Sequence, residues 1–164
     1  MVIARKDFRD EEYQKPRQIL EEKNIRVSTA SSSTSPSTGV KGLTVTPDLL
    51  LDQVDANNFQ AVVFVGGGGS REYFHNVKAH ALAREMFEAS KTVAAICIAP
   101  VILANSGILK GKRATVFPSE TKSLIAGQAQ YTGTEVEKDG NIITANGPDA
   151  AENFGRVLLA ALEE

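Results

Sequence analysis

At 164 residues, with 42% hydrophobic and 23% charged residues, the chain is long enough to bury a core and too apolar to be disordered. A net charge of −2 argues against a nucleic-acid or membrane-surface partner. The single cysteine excludes an internal disulfide, and two histidines with one cysteine are too few for a zinc cluster, so no metal is expected. No apolar run approaches the ~18 residues of a membrane span, and Met1 to Asp10 carries charge without a long apolar stretch, so no secretory signal is read and a cytoplasmic setting is expected.

Met1 to Ala4 reads as a short strand. Asp10 to Lys23 reads as a helix with an acidic first turn, and Pro16 marks either a kink or the true first turn. Ile25 to Thr29 is expected as a second strand, Ala30 to Gly39 as a Ser/Thr/Pro-rich loop, Val40 to Thr46 as a small extended piece and Pro47 to Val54 as a short helix. Ala61 to Val65 is apolar on both faces, the pattern of a central parallel strand. Gly66 to Gly69 follow at once, and then a helix from about Lys78 to Ala89 with Ala79, Leu82, Ala83, Met86 and Phe87 on one face. Thr92 to Ile96 is a second doubly buried strand, running into Cys97 and a helix opened by Pro100 and ended near Gly107. Arg113 to Phe117 and Gln130 to Thr132 read as strands, with a short helix capped by Ser119 between them. Val136 to Thr144 reads as a hairpin turned at Asp139-Gly140, and Pro148 to Leu162 as a terminal helix. Strand and helix alternate throughout 1–164, so the expected fold is one α/β domain: flavodoxin-like, doubly wound, a mostly parallel sheet with helices on both faces.

The chemistry-bearing motifs sort unevenly. Gly66 to Ser70 invites a phosphate-loop reading, but the third glycine of a dinucleotide fingerprint falls on Arg71, or on Glu72 in the next frame. Only three residues separate Gly107 from Gly111, where a phosphate-binding P-loop has about four, and Arg113 stands in place of its Ser/Thr. A nucleotide cofactor is therefore not expected, and the glycines read as a tight turn or as free N–H groups that could receive an oxyanion. Cys97 sits where a buried strand ends and a helix begins. Free N–H donors and the positive end of a helix dipole favour thiolate there, so a pKa below the ~8.5 of a free thiol is expected, against the alternative of an inert buried cysteine. His80 reads as solvated beside Lys78 and Arg84. His75, after the glycine turn, reads as an exposed loop histidine, the alternative being an approach to the strand ends. Glu11 and Glu12 open the first helix at the carboxyl edge that also carries Cys97.

Taken together, four segments resemble the ThiJ/PfpI superfamily, a class I glutamine amidotransferase-like group of protein deglycases and PfpI-type intracellular proteases. They are Phe8-Arg9-Asp10-Glu11-Glu12, Val62-Val63-Phe64-Val65-Gly66-Gly67, Ala94-Ala95-Ile96-Cys97-Ile98-Ala99-Pro100 and Thr144-Ala145-Asn146-Gly147-Pro148. The resemblance implies a nucleophile elbow carrying Cys97, a protonated glutamate hydrogen-bonded to its thiolate at Glu12, and an oxyanion hole from the N–H groups of Gly67 and Ile98. It also implies a homodimer or higher homo-oligomer. The sequence departs from the family where a histidine follows the cysteine, here Ile98, and where one precedes a later proline, here Phe117 before Pro118. Its first strand is about three residues shorter than the family's usual one, which leaves open whether Met1 is the native start.

The implied function is a cytoplasmic stress-response thiol protein with glyoxalase- or deglycase-like chemistry on a small reactive aldehyde or glycated substrate. The alternatives are a redox sensor or chaperone working through Cys97 oxidation, and a PfpI-type cysteine peptidase, against which the missing histidines count.

Overall fold

A computed structural model describes residues 1–164. β1 (Lys6–Phe8) leads into α1 (Asp10–Glu21), and β2 (Ala30–Ser31), β3 (Ser37–Gly39), β4 (Thr44–Val45) and β5 (Leu49–Leu50) follow as short pieces. β6 (Ala61–Phe64) and β7 (Thr92–Ile96) bracket α2 (Val77–Glu88). α3 (Pro100–Ser106), β8 (Arg113–Ala114), α4 (Thr121–Ala126) and β9 (Gln130–Tyr131) precede the hairpin of β10 (Val136–Asp139) and β11 (Ile142–Ala145), and α5 (Ala151–Glu163) is the last helix.

The main sheet runs β10-β11-β7-β6 and then continues through the first residues of the chain. Val2 bridges Phe64 on one side and Ala30 on the other, both in parallel, so Met1 to Ala4 lies between β6 and the β2–β5 pair. β6, β7 and β11 are parallel, with Val62 opposite Val93 and Ile143 opposite Ala94; only the β10 edge is antiparallel. Every residue of β7 is buried, as expected of a strand covered on both faces. α1 and α5 pack together as one layer and α2 with α3 as the other. The α/β, mostly parallel architecture expected from the sequence is present.

The weakly patterned third of the chain departs from expectation. Ile25 to Thr29 forms no ladder; the strand starts at Ala30. The loop expected over Ala30 to Gly39 contains β2 and β3, because β3 pairs with β1 in a side sheet with β4. Pro47 to Val54 is not helical throughout: Leu49–Leu50 pairs with β2, and one 3₁₀ turn follows at Leu51–Gln53. Ser119 caps nothing; it lies inside a 3₁₀ turn, Pro118–Glu120, ahead of α4. Asp139 pairs with Ile142, so the hairpin turns at Gly140-Asn141. Pro16 lies well inside α1 rather than in its first turn. It has no N–H to donate to the Glu12 carbonyl. That face of α1 meets α5 at Gly155, where a Cβ would sit 2.9 Å from the Pro16 Cα and 2.8 Å from the Ile19 side chain.

Three chain reversals consequently meet at the carboxyl ends of the central strands: the β1–α1 turn, the glycine turn after β6 and the end of β7.

Candidate active site

Cys97 follows β7 directly and adopts φ +65°, a left-handed conformation that L side chains other than Asn and Asp rarely take. Its N–H donates to the Ala145 carbonyl at 2.9 Å, and its carbonyl accepts from the Phe117 N–H at 2.8 Å. These bonds pin the residue from both sides and hold the strained elbow. Pro100 opens α3 immediately afterwards, with Gly107 in a left-handed conformation ending it. The elbow expected from the sequence is therefore present, and Cys97 as a residue is 9% exposed.

Glu12, not Glu11, faces the sulfur. The N–H of Arg9, the residue before α1, donates to the Gly66 carbonyl at 3.0 Å, which ties the start of α1 to the glycine turn. Glu12 then projects inward and is fully buried, while Glu11 turns outward to Arg9 and Lys41. Gly66 is required by this arrangement. A Cβ there would lie 2.4 Å from Glu12 Oε2, 2.5 Å from Cys97 Cβ and 2.6 Å from the Ile96 carbonyl. Gly67, at φ +94°, is just as constrained: a Cβ would meet the Asp7 carbonyl at 2.4 Å and the Arg9 nitrogen at 2.5 Å. Buried Ser70 fixes the turn by donating from Oγ to the Gly67 carbonyl at 2.8 Å.

The electrostatics are those of two acids sharing one dry pocket. Burial raises Glu12 to about 8; the adjacent Cys97, the Gly66 N–H and the Arg9 charge only partly offset it. Neither Glu12 oxygen makes a well-formed hydrogen bond, so the neighbours act on it through proximity. The expectation of a lowered thiol pKa meets the opposite force. Burial first, and an ionised Glu12 second, push Cys97 up to about 12, while the N–H groups of Gly67 and Ile98 pull the other way. The pair can carry one negative charge cheaply and two only at high cost.

The four residues expected in the site, Cys97, Glu12, Gly67 and Ile98, thus converge. The histidines do not join them. His75 is exposed, and His80, expected to be solvated, is half-buried with Nε2 2.8 Å from the Phe74 carbonyl. Phe117 is 40% exposed beside Gly147. No group of His, Cys, Asp and Glu is arranged to hold a metal ion. Two contributors carry no distinct signal in the sequence. Ser70 reads only as the end of a glycine run, and Arg9 is named only within the Phe8 to Glu12 segment, although its charge is felt by both Cys97 and Glu12.

Residues 1–161 match the DJ-1/PfpI family. The chain belongs to this family. An uncharacterised protein of Methanocaldococcus jannaschii is 41% identical over 167 aligned positions, covering 100% of this chain and 82% of the relative. A deglycase of Pyrococcus abyssi is 33% identical over 148, covering 90% of this chain and 89% of the relative. The crystal structure of a ThiJ/PfpI domain protein from Brachyspira murdochii superposes with a TM-score of 0.97 at 32% identity, covering 99% of this chain and 94% of that one. No helix of this DJ-1/PfpI protein is long and apolar enough to cross a membrane.

Proposed function

We propose that the protein performs glyoxalase- or deglycase-like chemistry on small reactive aldehydes, using Cys97 as nucleophile and Glu12 as proton carrier. One observation carries this reading: a thiol held in a left-handed elbow against a fully buried carboxyl whose proton affinity is raised into the neutral range. Such a carboxyl can be protonated or ionised at working pH, which is what a general acid/base must do. The similarity to a deglycase of Pyrococcus abyssi points the same way.

In this reading the reactive form of the pair carries one negative charge, with the Cys97 proton passed to Glu12 and the thiolate held by the N–H groups of Gly67 and Ile98. The thiolate adds to the aldehyde carbon. A C–S bond forms, and the carbonyl π pair moves to oxygen, where the same two N–H groups receive the developing oxyanion. Glu12 delivers its proton to that oxygen to give a hemithioacetal. With a 2-oxoaldehyde, Glu12 then removes the C–H proton and returns it to the neighbouring carbon while the hemithioacetal hydroxyl proton passes to the neighbouring carbonyl oxygen, leaving a thioester of the 2-hydroxy acid. Water hydrolyses the thioester to the 2-hydroxy acid and frees the thiol. The sum is 2-oxoaldehyde plus water to hydroxy acid, with no external oxidant.

The test is lactate formation from methylglyoxal. Wild type is expected to turn over, Cys97→Ala to be inactive, and Glu12→Gln to lose at least about a hundredfold, the lower range for a general acid/base. Equal lactate formation by wild type and Cys97→Ala would remove the proposal.

A further inference from the structure

The site described so far has a nucleophile, a proton carrier and two N–H donors, but nothing that selects a substrate. Arg9 is placed to do so. Its backbone packs directly on Gly67 and bonds Gly66, so its Cα is fixed at the edge of the N–H pair. Its side chain is 32% exposed, and Nε donates to Glu11 Oε2 at 2.8 Å. That bond occupies one edge of the guanidinium, and the terminal nitrogens make no hydrogen bond within the protein.

The surrounding charges leave Arg9 available. Glu11 is shared with the Lys41 ammonium, so it does not neutralise Arg9 alone. Asp10, the other acid of this turn, is buried and accepts from the backbone N–H groups of Lys41 and Leu43 at 2.8 and 2.9 Å. Glu12 is the acid of the reactive pair and shares its proton with Cys97. An arginine oriented by one carboxylate and open at its other edge suits bidentate binding of a carboxylate or phosphate.

We propose that Arg9 is the specificity-determining residue of this site and selects substrates bearing an anionic group, carboxylate or phosphate, close to the carbon attacked by Cys97. The proposal rests on the aldehyde reading for the identity of the substrate but not for the anion preference itself.

The two can be separated by alkylation of the single thiol with iodoacetate and iodoacetamide, which have nearly the same shape and differ in charge. The ratio of their rate constants cancels the thiolate fraction, because both reagents consume the same thiolate, so a change in thiol pKa cannot move it. In wild type the iodoacetate-to-iodoacetamide ratio is expected to exceed that of Arg9→Gln by about tenfold, the lower end for a hydrogen bond to a charged group. The excess should shrink with added salt and be partly retained in Arg9→Lys. Turnover then identifies the anion: methylglyoxal as the neutral substrate, the carboxylate-bearing semialdehyde of mesoxalic acid, and the phosphate ester of hydroxypyruvaldehyde. At least one anionic substrate should show the higher kcat/KM in wild type and lose that advantage in Arg9→Gln. An unchanged alkylation ratio in Arg9→Gln overturns the proposal even if methylglyoxal is turned over. A tenfold change in ratio with no turnover of any aldehyde leaves anion selection standing and removes the aldehyde reading instead.

Discussion

The behaviour of Cys97 is set by which member of the pair holds the proton. An ionised Glu12 repels the thiolate, and a Glu12 that has taken up the thiol proton no longer does; the same two residues are inert in one arrangement and reactive in the other. Glycine at position 66 lets the two groups approach, since its missing Cβ is the space Glu12 Oε2 occupies. Gly66→Ala is therefore expected to fold but to displace Glu12, reducing reaction at Cys97 by at least about tenfold through misplacement of a catalytic group. Iodoacetamide kinetics beside a thermal melt will show it. The residue types of this site were legible in the sequence: a lone cysteine after a buried strand, two glycines after another, and acids at the first helix. The direction of the thiol shift was not. The helix start and N–H donors are visible in sequence, whereas enclosure to 9% exposure is a property of the assembled turns. The missing histidine neighbour carries a further consequence. With no histidine beside the thiol to protonate a leaving amine, peptide hydrolysis is expected to be undetectable above the Cys97→Ala background in a fluorogenic assay.

Among the elements, α1 positions the site, and it is held by its ends and one face. Its start is tied to Gly66 by the Arg9 N–H, and its flank lies on α5 at Gly155. The contact at Gly155 leaves no room for a branched side chain. Gly155→Val is expected to destabilise the protein by about 1–3 kcal/mol through overpacking. Because the displaced helix carries Glu12, activity should fall in the surviving folded fraction as well. Denaturant titration with activity measured per folded molecule separates the two effects. α2, β6, β7 and α5 could be placed from sequence because each has a strong apolar period or a continuous apolar run. β2, β3 and β5 could not. Residues such as Ser31, Ser37 and Thr38 carry no strand pattern, and their pairing is decided by partners distant in sequence, Ser31 with Leu50 and Thr38 with Lys6. Arg9 escaped for a related reason, since only the fold brings the β1–α1 turn to the end of β7.

The whole molecule reports the state of the pair through its stability. Glu12 has its usual carboxylate pKa, about 4.5, when unfolded and about 8 when folded. The folded state therefore binds the proton more tightly. Its stabilising contribution is complete below the unfolded value and is lost as pH rises toward and through the folded one. Each tenfold difference in proton affinity is worth about 1.4 kcal/mol, so the loss across that window is a few kcal/mol. Glu12→Gln keeps the shape and cannot ionise; its stability should be flat from pH 5 to 8, where wild type declines. Chemical denaturation across that range is the check. The central claim, that Glu12 and Cys97 are one coupled pair in which ionised Glu12 holds the proton on the thiol, is tested most directly by the ultraviolet thiolate band followed against pH in wild type and Glu12→Leu. With one cysteine in the chain, the band belongs to Cys97 alone. Removing an ionised carboxylate relieves its repulsion of the thiolate, so the midpoint is predicted to move to lower pH in Glu12→Leu. A midpoint that stays in place or moves to higher pH contradicts the account.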